Sequence, residues 1–80
     1  MNTIKVLFAE DEKTLGMVVR DSLTSRGYDV VWVEDGISAW KQFNNSHFDI
    51  CILDVMMPGM DGFDLAKRIR VNEKVTPIFF

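Results

Sequence analysis

A single cysteine among 80 residues rules out an internal disulfide and suits a reducing compartment. Proline is also scarce, at two. With 48% hydrophobic and 26% charged residues, the composition is that of a folded chain, not a disordered one. No apolar run approaches the length of a membrane span, and the opening "MNTIKVLF" lacks the layout of a signal peptide. These absences predict a cytoplasmic location and no membrane contact. A basic stripe is missing too, and the net charge is −3. That balance speaks against nucleic-acid binding by this segment and leaves room for a basic partner or a metal. A chain of this length makes one small domain of modest stability.

The apolar runs that do occur are short, and two of them stop on acids. "VLFAEDE" at 6–12 passes from a strand-like run into Glu10, Asp11 and Glu12, and "ILDVMMPGMDGF" at 52–63 ends its run on Asp54 before a loop of Met, Pro and Gly. An unpaired carboxylate inside a strand core costs several kcal/mol (roughly) before its pKa shifts to neutralise it. Asp54 is therefore expected at the strand's end, facing a cavity, a cation or water.

Hydrophobic periodicity organises the rest. Residues 4–9 predict a strand covered on both faces. Leu15, Val18, Val19 and Leu23 then recur at helical spacing from Lys13 to Arg26, with Gly27 suited to the position after the helix. The β-branched and aromatic "YDVVWV" at 28–33 predicts a second strand. Asp35 is expected to cap a helix with Ile37, Trp40 and Phe43 on one face, fraying in "NNSHF". "DICILD" at 49–54 predicts a third strand. Asp61 is expected to cap a third helix with Phe63, Ala66 and Ile69 inward, and "TPIFF" at 76–80 predicts a fourth strand. Strands alternating with helices imply an open α/β sheet with parallel pairing and right-handed crossovers.

Ligands of such sheets bind outside the carboxyl ends of the strands, where strand order reverses. If the first and third strands are neighbours, their ends lie about 5 Å apart, bringing Glu10, Asp11 and Asp54 together. Three carboxylates that close require a proton or a cation. Oxygen-only ligands favour a hard ion such as Mg²⁺, which suits the bridging of a phosphoryl group, and a carboxylate beside it can act as nucleophile to give an acyl phosphate. Pro58 and Gly59 shape the loop, and Gly62 leaves room at the helix start.

"FAEDE" after the first strand, with "LDVMMPGMDGF" after the third, resembles the receiver domain of bacterial two-component response regulators. The resemblance runs over the whole chain and covers about two thirds of a typical receiver, a doubly wound, five-stranded parallel sheet of flavodoxin-like fold. It implies that Asp54 is the phosphoacceptor, charged from a phosphohistidine on a sensor histidine kinase. Asp11 would bind Mg²⁺ directly, Glu10 directly or through water, and the main-chain carbonyl of Met56 would complete the protein ligands. Receivers most often carry Asp where this chain has Glu10, which reaches one methylene further.

The same resemblance implies that residues 1–80 are the N-terminal part of a receiver, β-α-β-α-β-α-β, without the fifth strand and last two helices. A Thr or Ser contacting the phosphoryl group would fall about two positions past Phe80, given usual strand lengths, and a Lys would follow the fifth strand. Transcription regulation through DNA would then need an output domain outside these residues. The uncharged, β-prone "TPIFF" edge predicts self-association, as a homodimer joined through the C-terminal strand.

Blander readings apply elsewhere. Asp often starts turns, so Asp54 alone would carry little; with Glu10, Asp11 and the loop string it carries the assignment. Glu12 and Lys13 read as solvated first-turn charges. Cys51 reads as a buried inert thiol and His47 as a loop residue, and Trp32, Trp40 and Phe43 as packing around the second helix. Met56, Met57 and Met60 read as loop packing. Lys67, Arg68 and Arg70 complement a helix dipole. Three other functions fit the residues less well. A Mg²⁺-dependent aspartyl-phosphate phosphatase of the haloacid dehalogenase class needs an Asp where Met56 stands. A flavodoxin-like cofactor module needs a Ser/Thr/Gly loop where "AEDEK" stands. A structural or dimerisation module would leave the acids unused. The reading adopted is a signalling phosphoacceptor, not an enzyme acting on a separate substrate.

Overall fold

The computed structural model describes residues 3–80. Its elements are β1 (Lys5–Ala9), α1 (Lys13–Ser25), β2 (Asp29–Val33), α2 (Gly36–Asn45), β3 (Ile50–Leu53), α3 (Gly62–Asn72) and β4 (Ile78–Phe79). The strands form one parallel sheet in the order β2-β1-β3-β4. Strand order therefore reverses at β1, and the crevice expected at such a switch point opens between the carboxyl ends of β1 and β3.

Alternation along the strands sorts the two faces of the sheet. Leu7, Ala9, Cys51 and Leu53 join Ala39, Leu65 and Ile69 in one buried core under α2 and α3, with Val31 and Val33 beside it. Val6 and Phe8 point the other way and are equally buried, on the face where α1 packs against β2. The second strand is two-faced in the same manner. Trp32 lies against Gly16 of α1, so it packs beneath the first helix and not, as expected, around the second.

The helix ends follow their caps. Asp35 accepts from the Ser38 amide at 2.6 Å and Asp61 from the Asp64 amide at 2.9 Å, as the sequence predicts. Glu12 departs from its expected role as a solvated charge. It caps α1, its carboxylate accepting from the Thr14 and Leu15 amides at 3.2 and 2.7 Å. At the other end of α1, Gly27 takes φ +95°. Its amide donates to Thr24 and that of Tyr28 to Leu23, the paired bonds of a Schellman ending that an L side chain would strain.

In two helices the first residue expected to face inward does not, while Trp40, Phe43, Ala66 and Ile69 do. The inner face of α2 is Gly36, Ala39, Trp40 and Phe43, and that of α3 is Gly62, Leu65, Ala66 and Ile69. Ile37 and Phe63 are each about half exposed, contrary to expectation, and Phe63 rests instead on the ring of Phe80 at 4.9 Å. In both helices the face begins at the glycine just after the cap. Leu15 and Val18 of α1 are also exposed, while Val19 and Leu23 are half-buried. Strand β4 is shorter than expected, since Glu73 takes the Val75 and Thr76 amides in a turn that delays its start.

Candidate functional site

Parallel pairing of β1 with β3 ends at Ala9 opposite Leu53. One step on, the Asp54 amide donates to the Ala9 carbonyl at 2.9 Å and the Glu10 amide to the Val33 carbonyl at 3.0 Å. Glu10 and Asp54 are thus held by the last rungs of the sheet, with Asp11 in the bend that follows. One carboxylate oxygen from each of Glu10, Asp11 and Asp54 lies within 4.8 Å of the others. Glu10 is buried, Asp54 half-buried and Asp11 exposed.

Local hydrogen bonds aim these groups. The Met56 amide donates to Oδ1 of Asp54 at 3.3 Å and the Glu12 amide to Oε2 of Glu10 at 3.0 Å. The loop then returns tightly, the Gly62 amide donating to the Val55 carbonyl at 3.0 Å. A Cβ at Gly62 would overlap the Asp54 carbonyl, so glycine there lets α3 start directly behind the acid. A cleft of about 550 Å³ beside the cluster is lined by Asp11, Val55, Met56, Met57, Pro58 and Asp61. Met57 is buried and Met60 packs on the core, whereas Met56 projects into solvent with 78% of its surface exposed. The loop-packing expectation is thus corrected for Met56 alone.

Burial raises the pKa of Glu10 above the ordinary 4.5, and the neighbouring Asp54 and Asp11 push it the same way, against the Glu12 amide bond. Burial comes first among these causes, and the two neighbouring carboxylates add negative charge that no cationic side chain among the described residues offsets in the cluster. Oxygen donors at this spacing fit a hard divalent cation. Away from the cluster, Cys51 is fully buried, and burial pushes its thiol up to about 11. His47 is exposed, 3.4 Å from Asp49. Cys51 is thus in the core and His47 in a loop, where the sequence places them.

Two contributors escape a reading by composition. Glu12 both caps α1 and donates its amide to Glu10. Trp32 donates its indole N–H to the Glu10 carbonyl at 3.0 Å. The signal that could have found Trp32 is the parallel register, which sets it opposite Phe8, two residues before the acid.

The profile of the response regulator receiver domain matches residues 6–80. The transcriptional regulatory protein RprY of Bacteroides fragilis is 39% identical over 77 residues, which are 96% of this chain and 33% of that protein. Among solved structures, the response regulator TrrA of Thermotoga maritima in complex with Mg²⁺-BeF superposes with a TM-score of 0.91 at 32% identity, over 95% of this chain and 66% of that one. TrrA in complex with the histidine kinase ThkA gives 0.88 at 32% identity, over the same 95% and 66%. A parallel sheet whose order reverses at β1, with an acidic crevice at that switch point, defines the doubly wound class of α/β domains. Within that class, the chain belongs to the response regulator receiver family. It spans about two thirds of the solved receiver chains and a third of its curated relative RprY.

Proposed function

We propose that this chain carries the phosphoacceptor site of a two-component response regulator, with Asp54 as the residue phosphorylated. The observation that carries the reading is the convergence of Glu10, Asp11 and Asp54 within 4.8 Å at the sheet's switch point. Asp54 is the nucleophile because it alone follows β3, with its main chain held by Ala9 and Gly62 closing the loop behind it. One of its carboxylate oxygens bonds to phosphorus as the P–N bond of a phosphohistidine breaks, and the electron pair leaves with the imidazole. Glu10, Asp11 and Asp54, with the Met56 main-chain carbonyl, would hold Mg²⁺. The ion supplies the positive charge that lets an anionic phosphoryl group approach three carboxylates.

Support for a sensor histidine kinase as donor comes from TrrA, whose complex with the kinase ThkA is a near structural match. Support for the ion comes from the same protein's complex with Mg²⁺-BeF. The chain would then act in the cytoplasm as a switch, not as an enzyme with its own substrate. DNA would be reached only through an output domain; the relative RprY is named a transcriptional regulatory protein. Among the described residues no helix is long and apolar enough to cross a membrane. Self-association remains part of the proposal and rests on β4, whose Phe79 is exposed and whose partner among the described residues is β3. Sedimentation velocity over a concentration series tests it, with Phe79→Lys expected to weaken the dimer.

The test of the main reading is phosphoryl uptake from acetyl phosphate by the full-length protein. Uptake is expected to require Mg²⁺ and to vanish in Asp54→Asn. Undiminished uptake in Asp54→Asn, or uptake indifferent to chelation, would overturn it.

A further inference from the structure

Where β1 leaves the sheet, its last amide is taken by main chain and its last carbonyl by a side chain. The Glu10 N–H donates to the Val33 carbonyl, and the Glu10 carbonyl accepts from the Trp32 indole, both at 3.0 Å. Adjacent residues of β2 therefore clamp the two sides of one residue. The carbonyl belongs to the peptide joining Glu10 to Asp11, so the indole fixes the unit between two of the three acids.

The surroundings of the indole are shaped around it. Gly16 lies in the interior of α1, where glycine is disfavoured, and a Cβ there would overlap the Trp32 ring at Cζ2, Cε2 and Nε1. Arg20, one turn on, places its guanidinium 5.4 Å from the ring centroid. Strand β2 supplies the indole, and α1 supplies both the gap that admits it and the cation that covers it. None of these residues is acidic, and none faces the cleft beside Met56.

We infer that Trp32 is a positioning residue of the acidic site, holding the Glu10–Asp11 peptide in the geometry that binds the cation. The inference rests on the cation reading of the site given above. Glu10, Asp11 and Asp54 repel one another. Without a tether on the carbonyl, the bend after β1 can relax to spread the charges, and the ion must then draw them back. The indole bond removes that freedom before the ion arrives, which is preorganisation of the ligand set. Loss of one such bond changes an equilibrium about fivefold.

Calorimetric titration of the protein with Mg²⁺, in parallel with nitrogen-15 spectra of the indole groups, tests this. Trp32→Phe keeps an aromatic ring, smaller than the indole, and removes the N–H; Trp40→Phe removes the other indole, and Val31→Ala loosens the same strand from its opposite face. Trp32→Phe is expected to bind Mg²⁺ about fivefold more weakly, with Trp40→Phe and Val31→Ala close to wild type. The Trp32 indole resonance is expected to shift along the same isotherm as the heat. Equal affinity in Trp32→Phe and wild type, an equal loss in Val31→Ala, or an indole resonance unmoved by Mg²⁺ would each overturn the role of Trp32 while leaving the metal site standing. The indole measurement on wild type decides the matter even if Trp32→Phe fails to fold. Absence of Mg²⁺ binding in wild type would overturn the metal reading, and this inference with it.

Discussion

The amide of Asp54 donates to the carbonyl of Ala9 at 2.9 Å, extending the β1–β3 ladder one step past the last paired residues. That single bond sets Asp54 beside Glu10, because both are the first residues beyond adjacent strands. The sheet thus enforces a contact that electrostatics opposes. Two unit charges at 4.8 Å, the widest separation in the cluster, repel by about 3.5 kcal/mol at an effective dielectric of about 20. With Asp11 exposed and screened, about 1 kcal/mol is the realistic net penalty.

Relief of that penalty is measurable. In chelator, Glu10→Gln is expected to melt above wild type by roughly 4–8 °C, the shift that about 1 kcal/mol produces in a domain of this size. Millimolar Mg²⁺ is expected to raise the melting temperature of wild type by linkage and to have little effect on Asp11→Asn. An equal Mg²⁺ response in both proteins, or none in either, would count against a shared site.

The same strain has a pH signature. Folding raises the pKa of Glu10 above 4.5, chiefly through burial, so the native state keeps this proton to a higher pH than the unfolded chain. The stability so contributed is full below the unfolded value and is lost as pH rises through the raised native one. Metal-free wild type should therefore lose stability relative to Glu10→Gln as pH climbs from about 4.5. Melting curves of the two proteins across pH 4–8 (roughly) report it. A gap that stays constant or closes with rising pH contradicts the assignment.

Gly62→Ala drives a methyl group into the Asp54 carbonyl. Overpacking against main chain is expected to cost about 1–3 kcal/mol and to weaken Mg²⁺ binding, because the displaced carbonyl belongs to Asp54, the proposed acceptor. Denaturant unfolding with and without Mg²⁺ separates the two effects. Wild-type behaviour in both would show that the loop does not need this close approach.

Cys51 offers a probe of the core, not of the site. With the side chain fully buried and its pKa near 11, little thiolate forms at neutral pH and reagents cannot reach it. Reaction with a disulfide reagent at pH 8 (about) is expected to follow the rate of global opening and to accelerate in urea. Immediate, stoichiometric labelling of the native protein would place Cys51 outside the core.

Much of this was legible in the sequence, for reasons tied to particular residues. Asp54 and the Glu10–Asp11 pair stand out because ionised groups at the end of apolar runs have no place in a sheet core. Asp35 and Asp61 announce helix starts by the chemistry of capping. What stayed hidden lies in residues whose role is steric or directional. Gly36 and Gly62 open the inner faces of α2 and α3, yet glycine carries no hydropathy. Ile37 and Phe63 were therefore expected to face inward in their stead. Trp32 reads from the sequence as packing around α2, but the register sets it opposite Phe8, on the face that α1 covers. Glu12, a longer side chain than a usual cap, reads from the sequence as a solvated charge, whereas its carboxylate accepts from the Thr14 and Leu15 amides.

The most direct test of the central claim is to locate the phosphoryl group itself. Full-length protein phosphorylated in Mg²⁺ is treated with borohydride, which reduces an aspartyl phosphate to homoserine, and the digested peptides are sequenced by mass spectrometry. The account predicts homoserine at position 54, in the peptide containing "ILDVMMPGMDGF", and none when Mg²⁺ is chelated. Homoserine at another aspartate, with Asp54 intact, would contradict it.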